Sequence, residues 1–292
     1  MEVKRMKEIK KVAVLGAGLM GKQIALNTAQ YGYDVKLYDS FPEALDAAGK
    51  WAEDYLAGRV EKGKMTADQV AEIKKHFALE KDLKTCVQDA DLVIEAIIED
   101  RAIKEVLFTD LSNYCAEDTI LATNSSRMVS SLFKDFVKNP ARLANLHYFN
   151  PALVMKLTEV VQGAHTSNET AEALMDFSVK TGKDPIWVRK EIDGFVVNRI
   201  LGAITREANF LVAEGYVKPQ EVDTAVEKGL NHPMGPYRLQ DLTGVDLSFL
   251  VMKRNFEENG EKQPGYEMYE EMYNNKQWGR KTGKGFYEYP AK

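Results

Sequence analysis

The stretch Leu146-His147-Tyr148-Phe149-Asn150-Pro151, continuing to Met155-Lys156-Leu157-Thr158-Glu159, holds one imidazole and one carboxylate on either side of a proline. Valine, leucine and aromatics flank the proline, so the stretch reads as strand, turn and second strand. Neighbouring strands can bring His147 and Glu159 together. An imidazole oriented by a carboxylate serves as a general base or acid near neutral pH. Met155, Leu157, Glu159 and Val161 share one face of the second strand by the two-residue period. An acid in so apolar a row is costly to bury without a partner, and His147 is the natural one. Taken alone, the pair is a weak signal and reads first as a satisfied core histidine and an edge-strand charge; what precedes and follows raises the functional reading. Of the other histidines, His232 reads as structural, while His76 and His165 show no constellation.

The elements that would position this pair begin with Lys11-Val12-Ala13-Val14-Leu15, a short β-branched run. It leads into Gly16-Ala17-Gly18-Leu19-Met20-Gly21, and a helical pattern follows from Lys22 to Tyr31, stopped by Gly32. Strand, G-x-G-x-x-G and helix form a dinucleotide-binding unit. The first glycine permits the tight turn, the second admits a pyrophosphate to the backbone, and the third allows close helix–strand packing. A second strand, Tyr33 to Tyr38, ends in Asp39, at about the 20-residue spacing where an acid receives the ribose hydroxyls and repels a 2′-phosphate. NAD is therefore expected over NADP.

Beyond Asp39, Pro42 to Leu56 and Thr66 to Phe77 read as an insertion of two helices, with Thr66 as N-cap of the second. Arg59, Lys62 and Lys64 lie between them. This basic tip reads as a solvated excursion or as a grip on an anionic nucleotide tail. Asp91 to Ala96 is a buried-type strand, followed by a helix from Arg101 to Tyr114 that carries Lys104. A strand from Thr119 to Ala122 ends in Thr123-Asn124-Ser125-Ser126. Ligands bind beyond the carboxyl ends of parallel strands, which groups Glu99, Asn124 and Ser126 on the rim of the glycine loop. After the strands Leu143 to Phe149 and Met155 to Val161 come a helix from Asn168 to Thr181 and a last strand, Pro185 to Arg189.

The character changes from Gly194. Phe195 to Glu214 is apolar on more than one face and reads as a buried helix. Further helices are expected from Pro219 to Gly229, Tyr237 to Asn259 and Pro264 to Asn274. The expected fold is α/β: an N-terminal Rossmann-like, doubly wound, mostly parallel sheet with a two-helix insertion over 1–190, then an all-α domain over 191–292. The apolar helical domain suits a homodimer or higher homo-oligomer.

Bulk properties narrow the classes. A net charge of −5 disfavours nucleic acid as a partner, because phosphate neutralisation needs a basic surface. The two cysteines, Cys86 and Cys115, have no metal-ligand spacing, and no metal is expected. Met1 to Lys10 is charged without an apolar core, and no run approaches the ~18 apolar residues of a membrane helix. No membrane association is expected, and a cytoplasmic location is.

Taken together, these motifs resemble the 3-hydroxyacyl-CoA dehydrogenases, and most of all the short 3-hydroxybutyryl-CoA dehydrogenases. The resemblance spans nearly the whole chain. It rests on the glycine loop with Asp39, on Val93-Ile94-Glu95 with Glu99 and Lys104, and on His147 to Pro151. It continues through Val154 to Leu157 with Glu159, Gly194 to Arg199, His232 to Pro236, and Gly279 to Tyr287. It implies NAD-dependent interconversion of a 3-hydroxyacyl-CoA thioester and its 3-keto form, with His147 as catalytic base and Glu159 as its orienting partner. Ser126 and Asn198 would hold the substrate 3-oxygen. Glu99, Lys104, Asn150 and Lys281 would join Gly16, Gly18, Leu19, Met20, Gly21 and Asp39 at the cofactor, and Lys62 would meet coenzyme A. Three positions depart from the usual pattern: Arg127 replaces a small residue, Tyr148 a phenylalanine, and Asp193 a proline. The alternatives are a dehydrogenase of a free hydroxy acid such as gulonate, or a non-catalytic NAD-binding protein.

Overall fold

The computed structural model describes residues 8–290, so the charged N-terminal run lies outside the described residues up to residue 7. The strands are Lys11–Leu15 (β1), Asp34–Tyr38 (β2), Phe77–Glu80 (β3), Leu92–Glu95 (β4), Ile120–Thr123 (β5), Leu143–Tyr148 (β6), Leu157–Val161 (β7) and Asp184–Val188 (β8). They form one sheet in the order β3-β2-β1-β4-β5-β6-β7-β8. The first six run parallel, and the β6–β7 pair is antiparallel. The strand order reverses at β1 and β4, the switch point where ligands bind an open parallel sheet.

Both faces of a parallel sheet must be covered, and alternate residues of β1 and β4 serve the two sides. Val12, Val14, Leu92 and Ile94 pack under helices Leu19–Ala29 (α1), Pro42–Glu61 (α2) and Asn168–Lys180 (α6). Ala13, Leu15 and Val93 pack under Leu83–Val87 (α4) and Arg101–Tyr114 (α5). Between α2 and β3 lies Ala67–Lys75 (α3), whose N-cap Thr66 exchanges hydrogen bonds with Gln69 in a capping box.

Phe77 was expected to end a helix and instead opens a strand. Val70, Ile73 and Phe77 keep helical spacing, but His76 already caps α3, and Val35 to Tyr38 of β2 take residues 77–80 as parallel partners. Met155, expected on the strand face of Glu159, lies before β7, which starts at Leu157.

The chain divides into two compact units between Val196 and Val197. The second contains Val197–Ala213 (α7), Pro219–Gly229 (α8), Pro236–Thr243 (α9), Val245–Asn259 (α10) and Tyr266–Asn274 (α11). The single helix expected from Tyr237 to Asn259 is two, because Gly244 adopts φ 114° and breaks the hydrogen-bond ladder. Nor is α7 a buried helix. It starts two residues later than expected, and among its residues only Ala208 and Asn209 are buried, while Ile200 is 57% and Phe210 41% exposed. An apolar helix is buried only where enough partners surround it, and an apolar pattern alone does not supply them. Val245, Phe249, Met252, Tyr266, Tyr269 and Met272 form this unit's main core.

Candidate active site

Antiparallel pairing of β6 and β7 sets His147 directly opposite Glu159. Nδ1 of His147 donates to Oε2 of Glu159 at 2.8 Å. The imidazole is 6% exposed and Glu159 is fully buried. A carboxylate at Nδ1 holds the proton there and leaves Nε2 as the free acceptor of the neutral ring. Glu159 has a second anchor, since Val196 N–H donates to its Oε1 at 3.0 Å. Phe149 and Phe195 flank the ring with centroids at 4.6 and 5.5 Å. Such surroundings restrict both rotation of the imidazole and access of water.

At the carboxyl ends of β1 and β2, Gly16 has φ 101°, and a Cβ there would lie 2.4 Å from Ala96 O. A Cβ on Gly21 would fall 1.7 Å from Gly16 O, whereas nothing lies within 4 Å of one on Gly18. Only glycine fits the first and third places, and the second leaves open space before the start of α1. Gly18 is the N-cap of α1 and makes no side-chain cap hydrogen bond, and the first turn carries no acid. The uncapped N–H groups and the positive end of the helix dipole suit a pyrophosphate. Leu19 is exposed and Met20 half-buried beside it. Asp39 accepts from Ala17 N–H at 2.6 Å and from Phe41 N–H at 2.9 Å, which fixes its carboxylate beside the loop. The residues present thus fit a dinucleotide.

A second polar chain lies beyond β4 and β5. Glu95 and Thr123 are parallel register partners, and Thr123 Oγ1 donates to Glu95 Oε2 at 2.6 Å. Lys104 Nζ, fully buried, reaches Glu95 Oε1 at 2.7 Å and Glu99 Oε2 at 2.9 Å. Ser125 Oγ donates to the other oxygen of Glu99. Lys104 therefore stands behind Glu99, and Glu99, 40% exposed, is the member that faces outward. The roles of Glu95, Thr123 and Ser125 in this chain went unread in the sequence. A buried strand that ends in an acid requires a cation nearby, and that signal was there to use.

Asn124 Oδ1 accepts from Tyr148 N–H at 2.9 Å, fastening the Ser126 loop to β6 beside His147. Ser126 is half-buried and Arg127 exposed; Asn150 is exposed just past β6. Tyr148, the departure from phenylalanine, is buried, and its burial raises the phenol pKa. Lys62 caps the C-terminus of α2 and is exposed. Two candidates belong to the second unit. Asn198 is exposed in the first turn of α7, and Lys281 pairs with Asp246 at 2.5 Å. His165, which showed no constellation in sequence, lies 3.4 Å from Ser130 Oγ, whose hydroxyl donates to Glu191 at 2.8 Å.

Comparison with known proteins identifies the family. Residues 11–192 match the family model of the 3-hydroxyacyl-CoA dehydrogenase NAD-binding domain, and residues 194–289 that of its C-terminal domain. The chain is 38% identical over 286 residues to a probable 3-hydroxybutyryl-CoA dehydrogenase of Bacillus subtilis, covering 98% of this chain and 99% of that one. It is 37% identical to the human mitochondrial hydroxyacyl-coenzyme A dehydrogenase, over 96% of this chain and 91% of the relative. The crystal structure of (S)-3-hydroxybutyryl-CoA dehydrogenase from Ralstonia eutropha superposes with a TM-score of 0.87 at 32% identity, covering 97% of this chain and all of that one. With both domain models matched in order and relatives aligned end to end, the chain belongs to the 3-hydroxyacyl-CoA dehydrogenase family and is an NAD-dependent enzyme of that class.

Proposed function

We propose that the preferred substrate is short, with (S)-3-hydroxybutyryl-CoA oxidised to acetoacetyl-CoA and the reverse reduction run on the same site. The observation that carries the chemistry is the buried His147–Glu159 pair at 2.8 Å with Nε2 left free. The similarity to 3-hydroxybutyryl-CoA dehydrogenases supports the acyl length. Bound NAD would supply the hydride acceptor at its nicotinamide C4. His147 takes the proton of the 3-hydroxyl on Nε2 as the C3 hydride leaves. Glu159 stabilises the imidazolium that forms and keeps it in one orientation. In the reverse direction the imidazolium returns that proton to the developing alkoxide. Ser126 and Asn198 are proposed as hydrogen-bond donors to the same oxygen, in the manner of an oxyanion site.

In this reading the glycine loop and Asp39 hold the dinucleotide, with Glu99 facing it and Lys104 fixing Glu99. Asn150 and Lys281 are assigned to the cofactor and Lys62 to coenzyme A. The first domain, 1–190, carries cofactor chemistry. The helical remainder, 191–292, serves substrate binding and pairing of two copies.

NADH absorbance followed with acetoacetyl-CoA, and separately with free acetoacetate and with NADPH, tests the proposal. Oxidation of NADH by acetoacetyl-CoA alone is expected. Turnover of the free acid only would replace it with a free hydroxy-acid dehydrogenase.

A further inference from the structure

The segment from Arg189 to Val196 leaves β8 and ends the first unit. It is fixed at two points. Glu191 Oε1 accepts hydrogen bonds from Ser130 Oγ at 2.8 Å and from Ser131 N–H at 2.9 Å. Further on, Val196 N–H donates to Glu159 Oε1, and the Phe195 ring lies beside His147. Between these points the chain turns tightly. Phe195 N–H returns to Ile192 O, Gly194 has φ 71° and Phe195 φ 48°. A non-glycine residue stays at positive φ only where its surroundings over-determine it. Phe195 is buried among Val129, Val161, Ile186 and Val188.

The Ser130 end is itself tied to the reacting pair's strand. Ser130 N–H donates to Asn145 Oδ1 at 2.8 Å, and Asn145 Nδ2 donates to Met128 O at 2.9 Å. Asn145 sits on β6, on the same strand as His147. Side chains fill the space around Glu191 as well, since a Cβ at Gly163 would lie 2.9 Å from its Oε1 and still closer to His165. One frame therefore joins the Ser126 loop, this segment and the His147–Glu159 pair.

We infer that Glu191 is a positioning residue for the pair: by fastening the segment to the Ser130–Ser131 turn, it sets the Val196 amide on Glu159 and the Phe195 ring against His147. It acts through these groups. The inference rests on the role proposed for His147. Both groups that bond Glu191 Oε1 are neutral donors, so the position needs an acceptor oxygen and not a charge. Glutamine keeps that oxygen and alanine does not.

Two readouts test this. In Glu191→Ala, kcat for acetoacetyl-CoA reduction should fall about ten- to a hundredfold, the scale of a small misplacement of catalytic groups. NADH affinity and KM should change little, and Glu191→Gln should recover most of kcat. Independently of turnover, the low-field Nδ1–H resonance of His147, identified by its loss in His147→Gln, should shift or broaden in Glu191→Ala and stay in place in Glu191→Gln. Should the alanine variant not fold, Ser130→Ala removes one of the two donors and should give a smaller effect of the same kind. Wild-type kcat with an unmoved resonance in Glu191→Ala overturns the inference. So does equal impairment of folded alanine and glutamine variants, which would make the charge decisive. If the wild type ignores acetoacetyl-CoA, the functional reading fails and the resonance alone decides on Glu191.

Discussion

His147 is oriented by a chain of single hydrogen bonds, each made by a group with its own second anchor. Glu159 is held by His147 on one oxygen and by Val196 N–H on the other, in a site too buried for water to substitute freely. Replacing His147 by Gln should lower turnover by roughly 10²–10⁴-fold, the contribution of a positioned acid–base. NADH binding, followed by its fluorescence, should persist. Retained turnover would remove His147 from the mechanism. Lys104 presents a different case, because its ammonium is fully buried between two carboxylates. Lys104→Met leaves the buried Glu95 carboxyl group without its cation, which should destabilise the fold by about 3–5 kcal/mol. Urea unfolding of the two proteins measures this, and an unchanged midpoint would show that Glu95 finds another partner.

Among the elements, the connection between β6 and β7 carries Asn150 and is held by a lysine from beyond α6. Lys183 Nζ donates to Ala152 O and, at 3.0 Å, to Met155 O. Burial, reinforced by the nearby Lys156, lowers the Lys183 pKa to about 8 from the ordinary 10.5. Below about pH 8 both folded and unfolded chains carry this proton, and the group adds no pH dependence. Between about 8 and 10.5 the unfolded chain holds a proton that the folded one lacks, so stability from this group rises with pH. Melting curves of wild type and Lys183→Met over that range should show the wild type gaining on the variant as pH rises. A constant difference would mean that Lys183 stays protonated in the folded protein.

For the whole molecule, the second unit leaves large apolar side chains uncovered. Ile200, Leu201 and Phe210 on α7 and Leu247, Leu250 and Val251 on α10 are exposed in a single copy. Patches of this kind on a folded chain mark protein contacts. The proposed partner is a second copy, as cyclic pairing is the commonest solution for soluble enzymes. Light scattering should give about twice the chain's mass. Ile200→Asp with Phe210→Asp should halve that mass while leaving helix content intact. A wild type that runs as a monomer at every concentration would sink the proposal. Among the described residues no helix is long and apolar enough to cross a membrane.

Local sequence determined the parts of this protein whose physics is local. The glycine loop was legible because Gly16 and Gly21 stand where any Cβ would collide with backbone. The His147–Glu159 pair was legible because strand periodicity and the cost of an unpaired buried acid leave few partners. The tertiary structure decided what depends on distant pairing. β3 exists because β2 offers it an edge, although Phe77 keeps the spacing of the preceding helix. The bond from Glu191 to the Ser130 turn has no sequence period, since it joins positions 61 residues apart, and although Lys104 is near Glu99 in the chain, its burial behind that carboxylate depends on how α5 packs against β4. The exposure of α7 was likewise closed to sequence, because an apolar pattern states what a helix would bury and not whether one copy of the chain covers it.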